Sequence, residues 1–160
     1  MKIEKVNLTK ENLLKIKKID DLFYTKDKLE FEWYLQRYKE SHYAYFLIDD
    51  NSDVVGYMVS VPIKRELYDT IVNGVLINDL NINPRMYVTE SEYNYIVSCV
   101  INEEYRYKNY GKRLLENLLK DLNGYICCLT ISKDGYNLIS KYMDLKLNIN
   151  EIVSVFVKKY

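Results

Sequence analysis

The stretch INEEYRYKNYGKRLLENLL, residues 101–119, decides how the chain is read. Leu114, Leu115, Leu118 and Leu119, with Leu122 beyond them, recur at helical spacing and make one apolar stripe; Glu116, Asn117, Lys120 and Asp121 make the wet face. Just ahead of that stripe, Lys108, Lys112 and Arg113 surround Gly111. A helix start carries the positive end of the backbone dipole, so each cation there is disfavoured by about 0.3–1 kcal/mol while an anion is favoured. The run before it, YNYIVSCVI (93–101), is apolar on both faces and reads as an interior strand. A buried strand, a short basic loop and a helix start together aim unpaired backbone N–H groups into one small volume, which suits a phosphate or a diphosphate. Gly111 lets the backbone come close to such a ligand, and Asn109 takes the left-handed conformation at less cost than most residues. Arg106 and Lys108 would then face the phosphates. The alternative is a solvated turn whose cations are offset by Glu103 and Glu104. Neither the glycine–lysine pattern of a P-loop nor a GxGxxG fingerprint is present, so ATP or NAD use is not suggested.

Working outward, KIEKVNL alternates as a first strand, and Thr9 can cap a helix carrying Leu13, Leu14, Ile16, Ile19 and Leu22. A second helix is expected through KDKLEFEWYLQRYKE, with Leu29, Trp33, Tyr34 and Tyr38 on one face. YAYFLIDDNSDVVGYMVSVPI reads as a hairpin about the turn-forming DDNSD, with Gly56 marking a bulge or a close backbone approach. After Pro62 comes a helix through RELYDTIVN closed by Gly74, then loop or extended chain to Glu92; a segment this long forms either a wall of a binding site or a surface insertion. Beyond residue 119, YICCLTI is a buried strand, KDGYNLISKYM a short helix and EIVSVFVKK a final strand. The order is β, α, α, β, β, a mixed insertion, β, α, β, α, β, which is α/β with a mixed sheet, and residues 93–131 should form a right-handed parallel crossover.

The bulk numbers narrow the function classes. At 160 residues the chain is expected to be one domain, 1–160, and Lys+Arg 23 against Asp+Glu 23 argues against general nucleic-acid binding. The seventeen Tyr are expected to be packing residues at the core margin. Cys99, Cys127 and Cys128 read as buried thiols of a cytoplasmic protein, and with His42 the single histidine and no CxxC spacing no metal site is expected. The N-terminus is too charged for a signal peptide and no apolar run would span a bilayer.

VINEEYRYKNYGKRLLENLL resembles motif A of the GNAT (GCN5-related) N-acetyltransferases: a strand, then Arg/Gln-x-x-Gly-x-Gly/Ala, then a helix. Here the motif reads Arg106-Tyr107-Lys108-Asn109-Tyr110-Gly111, with Asn109 in place of the first glycine. The order of elements over nearly the whole chain is similar to the family's, VVGYMVSV to its third strand and YICCLTISKDGYNLISKYMDLKL to its fifth strand, fourth helix and following turn. The insertion at about 63–92 is longer than the family's usual connection.

The resemblance implies a mostly antiparallel mixed sheet whose fourth and fifth strands, parallel to each other, splay apart around acetyl-CoA, used as co-substrate. It implies that Cys99, Val100 and Ile101 bond the pantetheine arm through their backbone and that Arg106, Tyr107, Lys108, Asn109, Tyr110, Gly111 and Lys112 hold the pyrophosphate. It also implies that Tyr142, in the fourth helix, protonates the leaving thiolate; a phenol stays protonated at neutral pH. The family's glycine–aromatic pair after that helix appears as Lys146-Leu147, and the asparagine that often begins the helix is displaced toward Gly135. The implied activity is N-acetylation of a primary amine, on a small molecule or a peptide, by direct attack on the thioester. The base is open: the strand 93–101 carries neither carboxylate nor histidine, and Glu90 or Glu92 would act only through water. Cys99 has no histidine partner and is expected in the core. Asp79, Glu90 and Glu92 fit a cationic acceptor, and no nucleic-acid or membrane partner is expected. Family members are often dimers, which implies a homodimer through an exposed final strand. The competing readings are a non-catalytic acyl-CoA-binding sensor and a plain interaction domain.

Overall fold

Thr9 opens the first helix by accepting a hydrogen bond from the Asn12 N–H at 3.2 Å, in a computed structural model that describes residues 1–76 and 78–160. Such a cap contributes about 1 kcal/mol. The elements are β1 (Lys2–Asn7), α1 (Lys10–Phe23), α2 (Phe31–Arg37), β2 (Tyr43–Ile48), β3 (Val54–Pro62), α3 (Arg65–Val72), β4 (Tyr93–Ile101), α4 (Tyr110–Asp121), β5 (Tyr125–Thr130), α5 (Lys133–Ile139), β6 (Asp144–Asn148) and β7 (Ser154–Lys159). The fold is α/β with a mixed, mostly antiparallel sheet. The pairs β1–β2, β2–β3, β5–β7 and β7–β6 are antiparallel and β4–β5 is parallel. The chain divides into two compact units, residues 1–60 with 98–121 and residues 61–97 with 122–160, and β3 and β4 run through both.

In the first unit the strands lie in the order β1-β2-β3-β4. The expected hairpin turn is built by Asp49, whose carboxylate accepts from the Asn51 and Asp53 N–H groups at 2.9 Å, and Ser52 takes a left-handed φ of 68°. Both expectations for Gly56 hold. The register shifts by one residue beside it, between Leu47 and Ile48, and a Cβ at Gly56 would lie 3.1 Å from the Val100 carbonyl oxygen. On α1, Leu13, Ile16 and Ile19 are buried as expected, whereas Leu14 and Leu22 are exposed. On α4, Leu114, Leu115, Leu118 and Leu119 are buried, each contributing about 1.5–3 kcal/mol of burial energy. Helix α2 is shorter than expected. Its start at Glu30 has no side-chain cap, and after Tyr38 the Lys39 N–H turns onto His42 Nδ1 at 3.1 Å. His42, buried, is spent on that turn.

In the second unit the order is β4-β5-β7-β6. The parallel ladder runs from Tyr93↔Tyr125 to Ile96↔Cys128 and stops, although β4 continues to Ile101 and β5 to Thr130. Strand β6 was not expected: its residues are mostly exposed, and a register shift at Leu145/Leu147 breaks its alternation, so it carries little periodic signal. It also corrects the expectation of an exposed final strand, because β7 lies between β5 and β6 and is not a free edge. The insertion at about 63–92 packs within the second unit, with α3 against β5 and β7. Ile63, Leu67, Ile71, Ile82 and Tyr87 are buried, and Ile63 bridges Tyr87. Gly74, at φ 72°, closes α3. Tyr93 and Tyr125 stack with centroids 5.1 Å apart and Tyr68 packs on both, so part of the tyrosine excess is packing, as expected. No helix among the described residues is long and apolar enough to cross a membrane.

Candidate functional site

The loop from β4 to α4 is folded by its own backbone. The Asn102 N–H donates to the Val55 carbonyl at 2.9 Å and ties the loop to β3. Glu103–Tyr105 form a single 3-10 turn, and the Tyr105 hydroxyl reaches Asp49 at 3.1 Å. Asp49 is held below the usual carboxylate range, first by the Asp53 backbone N–H and also by that phenol. Two non-glycine residues then turn left-handed, Tyr107 at φ 60° and Asn109 at φ 62°. The asparagine is where the family motif has its first glycine, and it adopts the backbone such a glycine permits. Tyr107, 87% exposed, takes a conformation that costs a bulky residue roughly 1–2 kcal/mol.

The first helical bond of α4 runs from the Arg113 N–H to the Asn109 carbonyl at 3.1 Å. The N–H groups of Tyr110, Gly111 and Lys112 precede it and point out of the helix start. Around them the cations are spread apart. Arg106 donates through Nε to the Ile101 carbonyl at 2.9 Å and lies 5.0 Å over the Phe23 ring. Lys108 sits over Tyr105 and Arg113 over Tyr110, both at 5.7 Å, and Lys112 pairs with Glu116 at 3.8 Å. An open cavity of about 540 Å³ lies beside this loop, walled by Leu22 and Phe23 at the end of α1 and by Val100, Ile101, Asn102, Glu103, Glu104 and Arg106. The cavity offers one guanidinium, two carboxylates and an apolar wall, and the three outward N–H groups of the α4 start lie a few residues along the chain from Arg106. Those donors and the guanidinium suit an anionic head, and the apolar wall suits an uncharged arm.

Of the expected site, Val100, Ile101 and Arg106 line the cavity, while Cys99 and residues 107–112 belong to the same unit and are not among its lining residues. Two expectations are corrected. Cys99 is exposed, not core. Dense protein around its sulfur still pushes the thiol up to about 12, far from a thiolate nucleophile. Tyr142 lies beyond α5, which ends at Ile139, in the turn leading to β6, where its N–H donates to the Ile139 carbonyl at 2.9 Å. Its own carbonyl accepts from Lys158 Nζ at 3.0 Å. Cys127 and Cys128 are buried as expected, and Glu90 and Glu92 are exposed.

A second polar group went unread in the sequence. Asp20, in the last turn of α1, accepts from the Tyr34 hydroxyl at 2.6 Å and the Tyr57 hydroxyl at 2.5 Å, and the Tyr57 hydroxyl also lies 3.0 Å from Ser98 Oγ on β4. The signal for it was present: an acid in the last turn of a helix opposes the dipole, and α1 has Asp20 and Asp21 there with no basic residue.

Residues 12–141 match the family model of the acetyltransferase (GNAT) family. No curated protein matches the chain in sequence. Among solved structures, the fold is similar to a GNAT superfamily phosphinothricin acetyltransferase from Sinorhizobium meliloti in complex with AcCoA, with TM-score 0.66, 12% identity, and coverage of 99% of this chain and 88% of that one. It is similar to a mosquito arylalkylamine N-acetyltransferase like 5b, with TM-score 0.64, 13% identity, and coverage of 98% and 99%. It is also similar to the GphF GNAT-like decarboxylase in complex with isobutyryl-CoA, with TM-score 0.69, 8% identity, and coverage of 99% of both chains. With the family model spanning most of its length, and motif, strand order and parallel β4–β5 ladder in agreement, the chain belongs to the GNAT acetyltransferase family.

Proposed function

We propose that the chain is one acetyltransferase domain that moves the acetyl group of acetyl-CoA to a primary amine by direct attack on the thioester. The observation that carries this reading is the loop before α4. Tyr107 and Asn109 both take the left-handed turn, at a cost in stability, and the N–H groups of Tyr110, Gly111 and Lys112 follow. A diphosphate held there is met by backbone donors, by the guanidinium of Arg106 and by Lys108 and Lys112. The pantetheine arm lies along the backbone of Cys99, Val100 and Ile101, where the β4–β5 ladder has already ended at Ile96↔Cys128. The thioester carbonyl carbon is attacked by the free amine. The C–N bond forms, the C–S bond breaks, and the thiolate of CoA leaves and takes up a proton. Tyr142 is the proposed donor of that proton, and the proton shed by the attacking nitrogen restores its phenol.

The test is thiol release from acetyl-CoA across a panel of primary amines, with calorimetry of acetyl-CoA binding alongside. Thiol release that depends on the amine supports the reading. Binding without thiol release for any amine favours an acyl-CoA sensor, and no binding removes both. An unchanged rate in Tyr142→Phe removes that residue from the mechanism.

A further inference from the structure

The acceptor must reach the thioester as a free amine, yet a primary amine is an ammonium ion at neutral pH. β4 itself offers no carboxylate or histidine for the missing proton. The first unit does hold a continuous polar chain that ends on β4. Asp20 Oδ1 accepts from Tyr57 Oη at 2.5 Å, and Tyr57 Oη meets Ser98 Oγ at 3.0 Å. The middle of this chain is sealed, with Tyr57 2% exposed, while Asp20 and Ser98 at its two ends are half-buried. Ser98 precedes the segment proposed to carry the pantetheine arm. It shares a strand face with Val100, two residues on, and Val100 lines the cavity. Phe23, one turn of α1 beyond Asp20, lines the same cavity.

We infer that Asp20, Tyr57 and Ser98 are the acceptor-side proton relay, with Ser98 receiving the ammonium and Asp20 receiving its proton. The inference rests on the N-acetyltransferase reading above. Ser98 Oγ accepts a proton from R–NH3⁺ as its own proton passes to Tyr57 Oη and the Tyr57 proton passes to Asp20 Oδ1. The amine is left neutral, Asp20 is left as the acid, and both hydroxyls are restored. After attack, the second N–H proton restores the phenol that protonated the CoA thiolate, and Asp20 returns its proton to solvent.

Tyr34 holds the other carboxylate oxygen at 2.6 Å and fixes its rotamer. The remaining titratable groups facing Asp20 are Lys17 and Asp21 on α1, which pair with each other at 2.7 Å, and Tyr38 beside Tyr34 and Tyr57. Burial raises the Asp20 carboxyl above its ordinary value, the direction a proton acceptor needs near neutrality.

The experiment is a pH profile of kcat/KM from pH 6 to 10 for wild type, Asp20→Asn and Tyr57→Phe, with ethylamine, tryptamine, spermidine and a lysine peptide as acceptors. Calorimetry of acetyl-CoA binding is run on each protein. The relay predicts that both variants bind acetyl-CoA within about twofold of wild type and lose about 100-fold in kcat/KM at pH 7. It further predicts that the loss shrinks as pH approaches the amine's own pKa, where the acceptor arrives already neutral. Variants that match wild type, or that lose the same factor at every pH, overturn the relay while leaving the transferase reading intact. Wild type that binds no acetyl-CoA overturns both. Should Asp20→Asn fail to fold, Tyr57→Phe, which removes one oxygen and keeps the ring, decides alone.

Discussion

Asp20 and Asp121 occupy the same kind of position, the last turn of α1 and the last turn of α4, where a negative charge opposes the helix dipole. Their surroundings differ. Asp121 pairs with Lys5 Nζ at 2.7 Å and accepts from the Tyr45 hydroxyl, and Lys5 holds its carboxyl below the ordinary value. Asp20 is met by two phenols and no direct cation, and burial pushes its carboxyl up. The first is an acid whose charge is used to hold elements together; the second is an acid poised to take a proton. Helix position alone does not separate them, but the partner does. The start of α4 makes the same point with the opposite sign: its cations lie where the dipole disfavours them because, on this account, a diphosphate completes the site.

The largest expected effect is the loss of turnover in Asp20→Asn near neutral pH, with no parallel loss in Asp121→Asn. Equal losses in the two variants would erase the distinction between them. Next comes Arg106→Ala, which removes the one guanidinium in the cavity wall. Acetyl-CoA affinity by calorimetry is expected to fall about tenfold, equivalent to about 1.4 kcal/mol, and an unchanged Kd would take Arg106 out of the site.

Thermal melts against pH sharpen the comparison further. A carboxyl lowered in the folded state adds stability above its unfolded value of 3.8, lost as pH falls through the lower folded value. Asp121→Asn should therefore lower Tm at pH 7, and the deficit should close in acid. A raised carboxyl acts in reverse, because stability falls as pH rises from 3.8 through the folded value. Asp20→Asn should therefore gain Tm at pH 7, relative to its own difference from wild type in acid. The amide keeps the network satisfied, since Tyr57 can accept from it while donating to Ser98. Matching pH trends in the two variants would show that the two carboxyls are not shifted in opposite directions. The smallest effect is Tyr107→Gly. It relieves a left-handed tyrosine whose side chain is exposed, offset in part by the greater freedom of glycine in the unfolded chain, so Tm should rise by about 1–3 °C. A fall would mean that the Tyr107 ring has a packing role.

The elements nearest the candidate cofactor site were the most legible in the sequence. The leucines of α4 are consecutive enough to fix its face, Thr9 caps α1, and Asn109 takes the backbone its side chain tolerates. Gly56 was legible as a close approach because a strand interior gives glycine few other uses. Strand β6 was not, because an exposed, bulged edge strand has no apolar alternation to read. Tyr142 was placed in a helix that in fact ends at Ile139, because the apolar spacing of Ile139 and Met143 carries on through the turn after it. The Asp20 chain joins residues 20, 57 and 98, and nothing local in the sequence relates them. Only its helix-end acid was visible in advance.

The most direct test of the central claim, that the start of α4 holds the diphosphate of coenzyme A, is a pair of calorimetric titrations with acetyl-CoA and with S-acetylpantetheine, which keeps the thioester arm and lacks the diphosphate. The account predicts binding of acetyl-CoA at least about 100-fold tighter, a difference of about 2.7 kcal/mol, and weakened by added salt. Equal affinity for the two thioesters, or no heat from acetyl-CoA, would contradict it.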